Sequence, residues 1–295
     1  MLDPTSCPEM GIFRTLMKSL AGMSTRELEL LRRFIERANP PPILHRYRGA
    51  SKWAIKELTV PEVHVAGVED MNDPFEYRAP VIIDIEKLRS AMHELARVQL
   101  GMDHDAAHSE ALSVNENTAK LLQQGIEELR TSSGLVCCSS NPLSNRMWAY
   151  YGGAHKGICV SYSTNFFPFC FARQVTYADP SDPIDLLDTL KQDPSLLADQ
   201  VSCRKGVEWE FEQEFRIPIG PIPEGQTRLL PIPPEAIVEI RLGAKIRPDF
   251  REDVVNAARR LPRCPRIIQM GCNHENFQLT ELAVIPRNTL DSKRC

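Results

Sequence analysis

Several features are missing from this 295-residue chain, and each absence removes a class of function. No apolar run approaches the roughly 20 residues that span a bilayer, so no transmembrane helix is expected. The opening, MLDPTSCPEMGIF, has no basic segment followed by a long apolar core, so a secretory signal is not expected either. No GxGxxG follows a strand pattern, which leaves a Rossmann dinucleotide site unsupported. There is no GxxxxGK[ST] for a P-loop and no GxSxG for a hydrolase elbow. CxxC and HExxH are likewise missing. The nine cysteines are odd in number, and the adjacent Cys137-Cys138 pair is poorly shaped for an ordinary disulfide. Reduced thiols in a cytoplasmic protein, most of them small core residues, are the simplest expectation. A net charge of -4 gives no global reason to expect nucleic-acid binding.

The 42% hydrophobic content suits a folded globular protein, with room for one large domain or two small ones. Residues 10–22 and 25–38 read as two amphipathic helices. The second opens on a capping box, Ser24 with Glu27, and stops at Pro40-Pro41-Pro42. We take 1–42 as an N-terminal helical extension and 43–295 as a single α+β domain. Within the domain, ILHRYRG reads as a first strand, SKWAIKEL as a helix and PEVHVAG as a strand. NDPFEY reads as a turn holding a buried Phe75. Two helices over 84–100 and 114–130 flank a polar linker, MDHDAAHSEALS. GLVCCSS and GICVSYS read as strands, with NRMWAYYGG as a short helix or turn between them. A broken helix covers 184–205. The chain closes with EFRIPIG and AIVEIRLG as strands, RPDFREDVVNAARRL as a helix, and RIIQMG with FQLTELAV as paired strands. The expected core is a mixed or antiparallel sheet with helices inserted between strands.

Four clusters carry candidate chemistry. Arg46 and Arg48, two apart on a strand, point the same way and could grip a phosphate through forked donors; either could equally form a surface salt bridge. Asn72-Asp73-Pro74-Phe75 is a turn that is structural on its simplest reading. Trp148 and Tyr151, three apart, share a helix face and could stack on a flat ring or join the core, and His155 sits in a glycine-flanked loop. Finally, EWEFEQEF over 208–215 alternates carboxylates with mostly aromatic residues. As a strand it would place 208, 210, 212 and 214 on one face, roughly 6.5–7 Å apart, with Trp209, Phe211, Phe215 and Ile217 on the other. The acidic face is a solvated wall or a site; enclosure would raise at least one pKa. His104 and His108, four apart, could share a metal, against the plainer reading of a solvated polar turn.

The order of these clusters resembles a family of mostly bacterial proteins, domain of unknown function 2971. The matching motifs are RYR at 46–48, NDPF at 72–75, CCSS at 137–140, WAYYGGAHKG at 148–157 and KGVEWEFEQEFR at 205–216, covering roughly residues 43–245. More remotely, this order looks like the ADP-ribosyltransferase fold, a split mixed or antiparallel sheet. The resemblance implies NAD as substrate and no metal. Arg46 or Arg48 would meet its pyrophosphate or ribose, Ser139 or Ser140 would shape the nicotinamide pocket, Tyr151 or Trp148 would stack on the ring, and His155 would join the cofactor-binding set. Glu214 would be the catalytic carboxylate, with Glu212 handling an acceptor. Glu210-x-Glu212 is an alternative register, and Arg216 stands close enough to neutralise Glu214. The implied function is ADP-ribosyl transfer or NAD glycohydrolysis, with the acceptor (protein, nucleic acid, small molecule or water) left open. Toxin-like or antiviral roles follow by analogy. The alternatives are a non-catalytic nucleotide or nucleic-acid sensor and a metal-dependent nuclease or phosphohydrolase.

Overall fold

A computed structural model of the chain describes Ser24 and residues 38–98, 100–179, 181–192, 196–222 and 225–286. The helices expected over 10–22 and 25–38 lie outside the described residues, Ser24 and Ala38 apart. The protein is α+β, built on a mixed nine-stranded sheet. We number its strands β1 (Ile43–Arg48), β2 (Ala66–Gly67), β3 (Gly134–Ser139), β4 (Ile158–Ser163), β5 (Arg173–Gln174), β6 (Glu214–Ile219), β7 (Ile237–Leu242), β8 (Arg266–Asn273) and β9 (Gln278–Ile285). Their order is β9-β8-β7-β4-β1-β3-β6-β5, with β2 paired to β3. Within this sheet only β7 and β8 run parallel; the helix Pro248–Arg260 makes their crossover.

The described helices are α1 (Lys52–Thr59), α2 (Ile85–Val98), α3 (His104–Ser113), α4 (Glu116–Ser132), α5 (Asn145–Tyr150), α6 (Leu186–Gln192), α7 (Leu196–Ser202) and α8 (Pro248–Arg260). Strand alternation sorts the core. Leu44, Val136, Cys138, Val160, Phe215, Ile217 and Ile240 face one side, where they pack with Ala54 and Leu58 of α1 and Phe250 and Val254 of α8. Tyr47 and Cys159 face the other side and pack with Met147 and Trp148 of α5. Burying one apolar face per element is what fixes this register, because a one-residue slip would exchange every side chain between faces.

Register also lines up a polar row across five strands. Glu239 pairs with Ser161, Ser161 with His45, His45 with Ser139, and Ser139 with Glu214. Directly opposed residues share a face, so a line of polar groups crosses beneath α5. His45 Nδ1 lies 2.9 Å from Ser161 Oγ. Burial, aided by the Arg241 charge, lowers its imidazole to about 4.

Three sequence expectations need correction. The segment MDHDAAHSEALS is largely helix α3, because Asp103 accepts from the backbone N–H of Ala106 as an N-cap and Ala107 and Ala111 supply a buried face. Phe75 is exposed, and the buried residues of its turn are Asp73, Glu76 and Tyr77. Most consequentially, EWEFEQEF is not one strand. Val207–Glu212 is a 3-10 helix, Gln213 takes the left-handed conformation (φ 45°, ψ 51°), and β6 begins only at Glu214.

Candidate functional site

The break at Gln213 decides the fate of the four glutamates. A 3-10 helix eclipses residues three apart, so Glu212 shares an edge with Trp209, while Glu208 and Glu210 stay exposed. The left-handed turn then redirects the chain so that Glu212 and Glu214 both enter the protein. The Glu210-x-Glu212 register is thereby disfavoured, since only one of its members is enclosed. Three contacts fasten this corner, two of them to the end of β3. Ser139 Oγ donates to the Glu212 carbonyl at 2.6 Å, and the Ser140 N–H donates to the Gln213 carbonyl at 3.0 Å. The Glu214 N–H donates to the Tyr177 hydroxyl at 2.8 Å. Ser139 and Ser140 therefore lie at the corner that carries the carboxylates, where Ser139 holds backbone and the Ser140 hydroxyl reaches both the carbonyl and the side-chain oxygen of Gln213 at 3.4 Å.

Inside lies a compact ionic cluster. Lys205 Nζ is 2.6 Å from Glu212 Oε2, 3.5 Å from Glu214 Oε2 and 3.6 Å from Glu76 Oε2. Arg216 Nη2 is 2.9 Å from Glu214 Oε2 and 2.6 Å from Glu76 Oε1, and its Nη1 donates to the Ser202 carbonyl at 2.8 Å. The Glu76 contact is one of charge, for its oxygens accept no aligned hydrogen bond. All five side chains are buried, and Arg216 is 0% exposed. Three carboxyls thus meet two cations, leaving one negative charge unmatched.

That imbalance splits the carboxyls. Burial pushes Glu214 up, but Arg216 and Lys205 outweigh it and bring the group down to about 2. Burial raises Glu212, and the neighbouring Glu214 charge adds to the rise. Glu76 is also raised, chiefly by burial. Glu214 is the ionised partner of Arg216, and Glu212 and Glu76 are the carboxyls pushed upward. Lys205 is held firmly charged: burial opposes this, but the three glutamates prevail.

Glu212 is also the carboxyl with a connection outward. Tyr151 donates its hydroxyl to Glu212 Oε1 at 2.5 Å, and Asn72 Nδ2 donates to the Tyr151 oxygen at 2.7 Å. Asn72 is exposed, and Tyr151 partly so. Burial, then the Glu212 charge, keeps the Tyr151 phenol neutral by pushing its pKa up. Beyond Tyr151 runs an aromatic surface. Tyr150, 70% exposed, has its ring 6.5 Å from Tyr151 and 6.0 Å from Phe211, and Phe211 lies 6.0 Å from Trp209. The Arg146 guanidinium sits 5.2 Å from the Phe211 ring, and Lys205 lies 4.8 Å from that of Trp209.

The remaining sequence candidates separate. Arg46 and Arg48 point to the opposite side of the sheet from Glu214, because Arg46 alternates with His45, which shares the Glu214 face. Arg48 is held by Glu57 at 2.8 and 2.9 Å, and Arg46 donates to the His64 carbonyl at 3.1 Å. They do not join the glutamates in one cleft. Trp148 is 0% exposed, donates from its indole to the Pro142 carbonyl at 3.0 Å and meets Tyr47 edge-on at 5.3 Å. It is a core residue and has no face free for a ligand. His155, at φ 67°, stacks on Trp148 at 6.3 Å and is partly exposed. Burial lowers its pKa.

Sequence reasoning missed Glu76 and Tyr177 as members of the site. Glu76 could have been suspected from its place one residue beyond NDPF, whereas nothing local marks Tyr177. Two prominent concavities lie elsewhere. One of about 280 Å³ is bordered by Tyr77, Arg130 and Arg228, and one of about 960 Å³ lies between α8 and the β8–β9 hairpin. Neither takes in Glu212, Glu214 or Tyr151.

Tyr47 buttresses the site floor by donating its hydroxyl to the Asn141 carbonyl at 2.5 Å. Tyr47→Phe is expected to cost about 1 kcal/mol in urea unfolding. A larger loss would show that the bond carries more than an ordinary buried contact.

No family model matches the chain, and no curated protein or solved structure does. Among the described residues, no helix is long and apolar enough to cross a membrane.

Proposed function

We propose that the protein cleaves the nicotinamide–ribose bond of NAD, transferring ADP-ribose to an acceptor or to water, with Glu212 as the catalytic carboxylate. The observation that carries this reading is the Tyr151–Glu212 pair: an enclosed carboxyl, gripped by a phenol that itself reaches a partly exposed aromatic surface. The motif order that resembles domain of unknown function 2971, and beyond it the ADP-ribosyltransferase fold, supports the same chemistry. Glu212 rather than Glu214 takes the central role here, because Glu214 is committed to Arg216 and Lys205.

The reaction needs little else. As the C1′–N bond breaks, the electron pair leaves with nicotinamide and positive charge builds on the ribose ring. A fixed carboxylate beside that charge stabilises the transition state more than the ground state. Tyr151 and Lys205 donate to the two Glu212 oxygens and hold the group in place. The cationic nicotinamide ring of the substrate favours the ionised form of a carboxyl raised by burial. The aromatic surface offers a flat ring a stacking partner, and Arg146 is the cation at hand for phosphate. The acceptor then adds at C1′ and releases its proton.

Incubating the full chain with NAD, with and without cell lysate as acceptor, is expected to release free nicotinamide. Tyr151→Phe should slow that release about 10- to 100-fold, the worth of a hydrogen bond to a charged group. A protein that neither releases nicotinamide nor binds NAD would overturn the reading.

A second reading rests on the internal pairing of the cluster: Lys205 and Arg216 already sit on carboxylate oxygens of Glu212 and Glu214, as in a purely structural ionic core. On that reading the aromatic surface binds a nucleotide without turnover. A nucleotide-induced rise in melting temperature with the nucleotide recovered intact would favour it. The same occupancy disfavours the nuclease alternative, in which those oxygens would have to hold Mg²⁺.

A further inference from the structure

Helices α2 and α3 meet through small residues. Ala96 of α2 and Ala107 and Ala111 of α3 are all buried, and small side chains at a crossing let two helix backbones approach closely. The approach gathers three histidines on the outer side of the pair. The His93 ring lies 5.3 Å from that of His104 and 6.5 Å from that of His108, and the His104 and His108 rings lie 6.3 Å apart. His104 and His108 stand four apart on one helix, the spacing that places two side chains side by side. Both are exposed and His93 is half-buried, so an ion from solvent can reach all three.

Among the described residues no group of three or more His, Cys, Asp or Glu side chains could hold a metal ion as they stand, so any site here requires the rings to move. The ring spacing nevertheless comes close to what an ion would impose. With metal–nitrogen bonds of about 2.0–2.1 Å in a tetrahedron, three imidazole centroids sit about 5 Å apart. One pair already has that spacing, and the other two, at 6.5 and 6.3 Å, exceed it by about 1.3–1.5 Å, so His108 must swing inward and turn out of its near-parallel arrangement with His104 (10° between planes). Exposed imidazoles turn about their side-chain torsions without disturbing the alanine contact beneath. A carboxylate is also at hand, because Asp105 Oδ1 lies 3.6 Å from His104 Nδ1. A ligating imidazole commonly gives its second nitrogen to such a group, which fixes the tautomer and the ring orientation.

We propose that His93, His104 and His108 form a three-histidine site for a divalent transition metal of the zinc, cobalt, nickel and copper class, closed by rotation of the rings and completed by water. Imidazole nitrogen selects these ions over Mg²⁺ and Ca²⁺, which prefer oxygen. The ion would tie α2 to α3 near the connection between them. The site owes nothing to the glutamate cluster and stands or falls separately from the NAD reading.

The test uses the full chain, stripped with chelator and kept reduced. Titration with Co²⁺ alone is expected to give visible d–d absorption that saturates at one equivalent and is abolished by Zn²⁺. No sulfur-to-cobalt charge-transfer band should accompany it. His93→Ala and His108→Ala should each weaken Co²⁺ affinity at least about tenfold, whereas His274→Ala should leave it unchanged. Equal circular dichroism of the variants would show that folding is intact. The proposal is overturned by absence of saturable binding, by unchanged affinity in His93→Ala, or by a thiolate band, which would place the ion on the cysteines.

Discussion

Glu212→Gln should fold normally and lose about 10²- to 10³-fold of its nicotinamide release from NAD, the usual worth of one preorganised electrostatic group. The substitution removes the charge and keeps the shape. The amide oxygen can still accept from Tyr151, and the lost ion pair with Lys205 is offset by relief of the repulsion from Glu214. Because burial already raises this carboxyl, a neutral isostere resembles its protonated form, and the stability cost should stay near 1 kcal/mol. Glu214→Gln is expected to behave in the opposite way. Its carboxylate is the ionised partner of Arg216, so replacing it leaves a wholly buried guanidinium short of charge. Stability should then fall by about 3–5 kcal/mol, and any loss of turnover should follow the loss of folded protein. Measuring turnover per folded molecule separates the two. Full activity in Glu212→Gln, with a specific loss in Glu214→Gln, would return the catalytic role to Glu214.

Arg216→Met should destabilise the protein by about 3–5 kcal/mol at neutral pH, because it leaves Glu76 and Glu214 buried with only Lys205 for company. The pH dependence carries a sign that distinguishes this from simple loss of packing. In the wild type, Glu214 is depressed to about 2, below its unfolded value. Its contribution is fully present above the ordinary carboxylate range and disappears as pH falls toward about 2. Glu76 and Glu212 are raised, so their contribution has the reverse sense: it is present at low pH and is lost as pH rises through their folded values. Arg216→Met removes the depressing partner, leaving mainly the second kind. Its stability should therefore increase on acidification from neutral pH toward the carboxylate range more steeply than that of the wild type, in which the depressed Glu214 opposes the gain as pH falls through and below that range. Adding Glu76→Gln should recover part of the loss. Guanidinium titrations at two pH values test this, and a variant within 1 kcal/mol of wild type at neutral pH would show that the cluster is hydrated and weak.

The local patterns that proved legible share one physical property: their information is short-range. Ser51 caps α1 through the N–H of Ala54, and the apolar alternation of β1, β3, β4 and β6 records which face meets the core. The pairing of Arg216 with Glu214 is also local, since residues two apart on a strand face the same way. The reading of EWEFEQEF failed because alternation is necessary for a strand and not sufficient. Gln213 in the left-handed region, the Ser139 bond to the Glu212 carbonyl and the Lys205 ammonium together favour a 3-10 turn, and two of these three come from elsewhere in the chain. Arg46 and Arg48 were rightly given one direction, but a strand's own pattern cannot say which ligand-bearing elements share that direction.

By itself, then, the amino-acid order determined the α+β class, most element boundaries and part of the list of residues with chemistry to offer, Glu212, Glu214 and Tyr151 among them but not Glu76 or Tyr177. Periodicity and turn chemistry act over a few residues and leave a direct imprint. Tertiary structure alone decided that Glu76, Lys205, Glu212, Glu214 and Arg216 close into one buried cluster, that the arginines of β1 lie behind the sheet, and that three histidines meet where α2 crosses α3. Those arrangements depend on strand order and helix packing, set by burial summed over the whole chain, so no short window of sequence contains them.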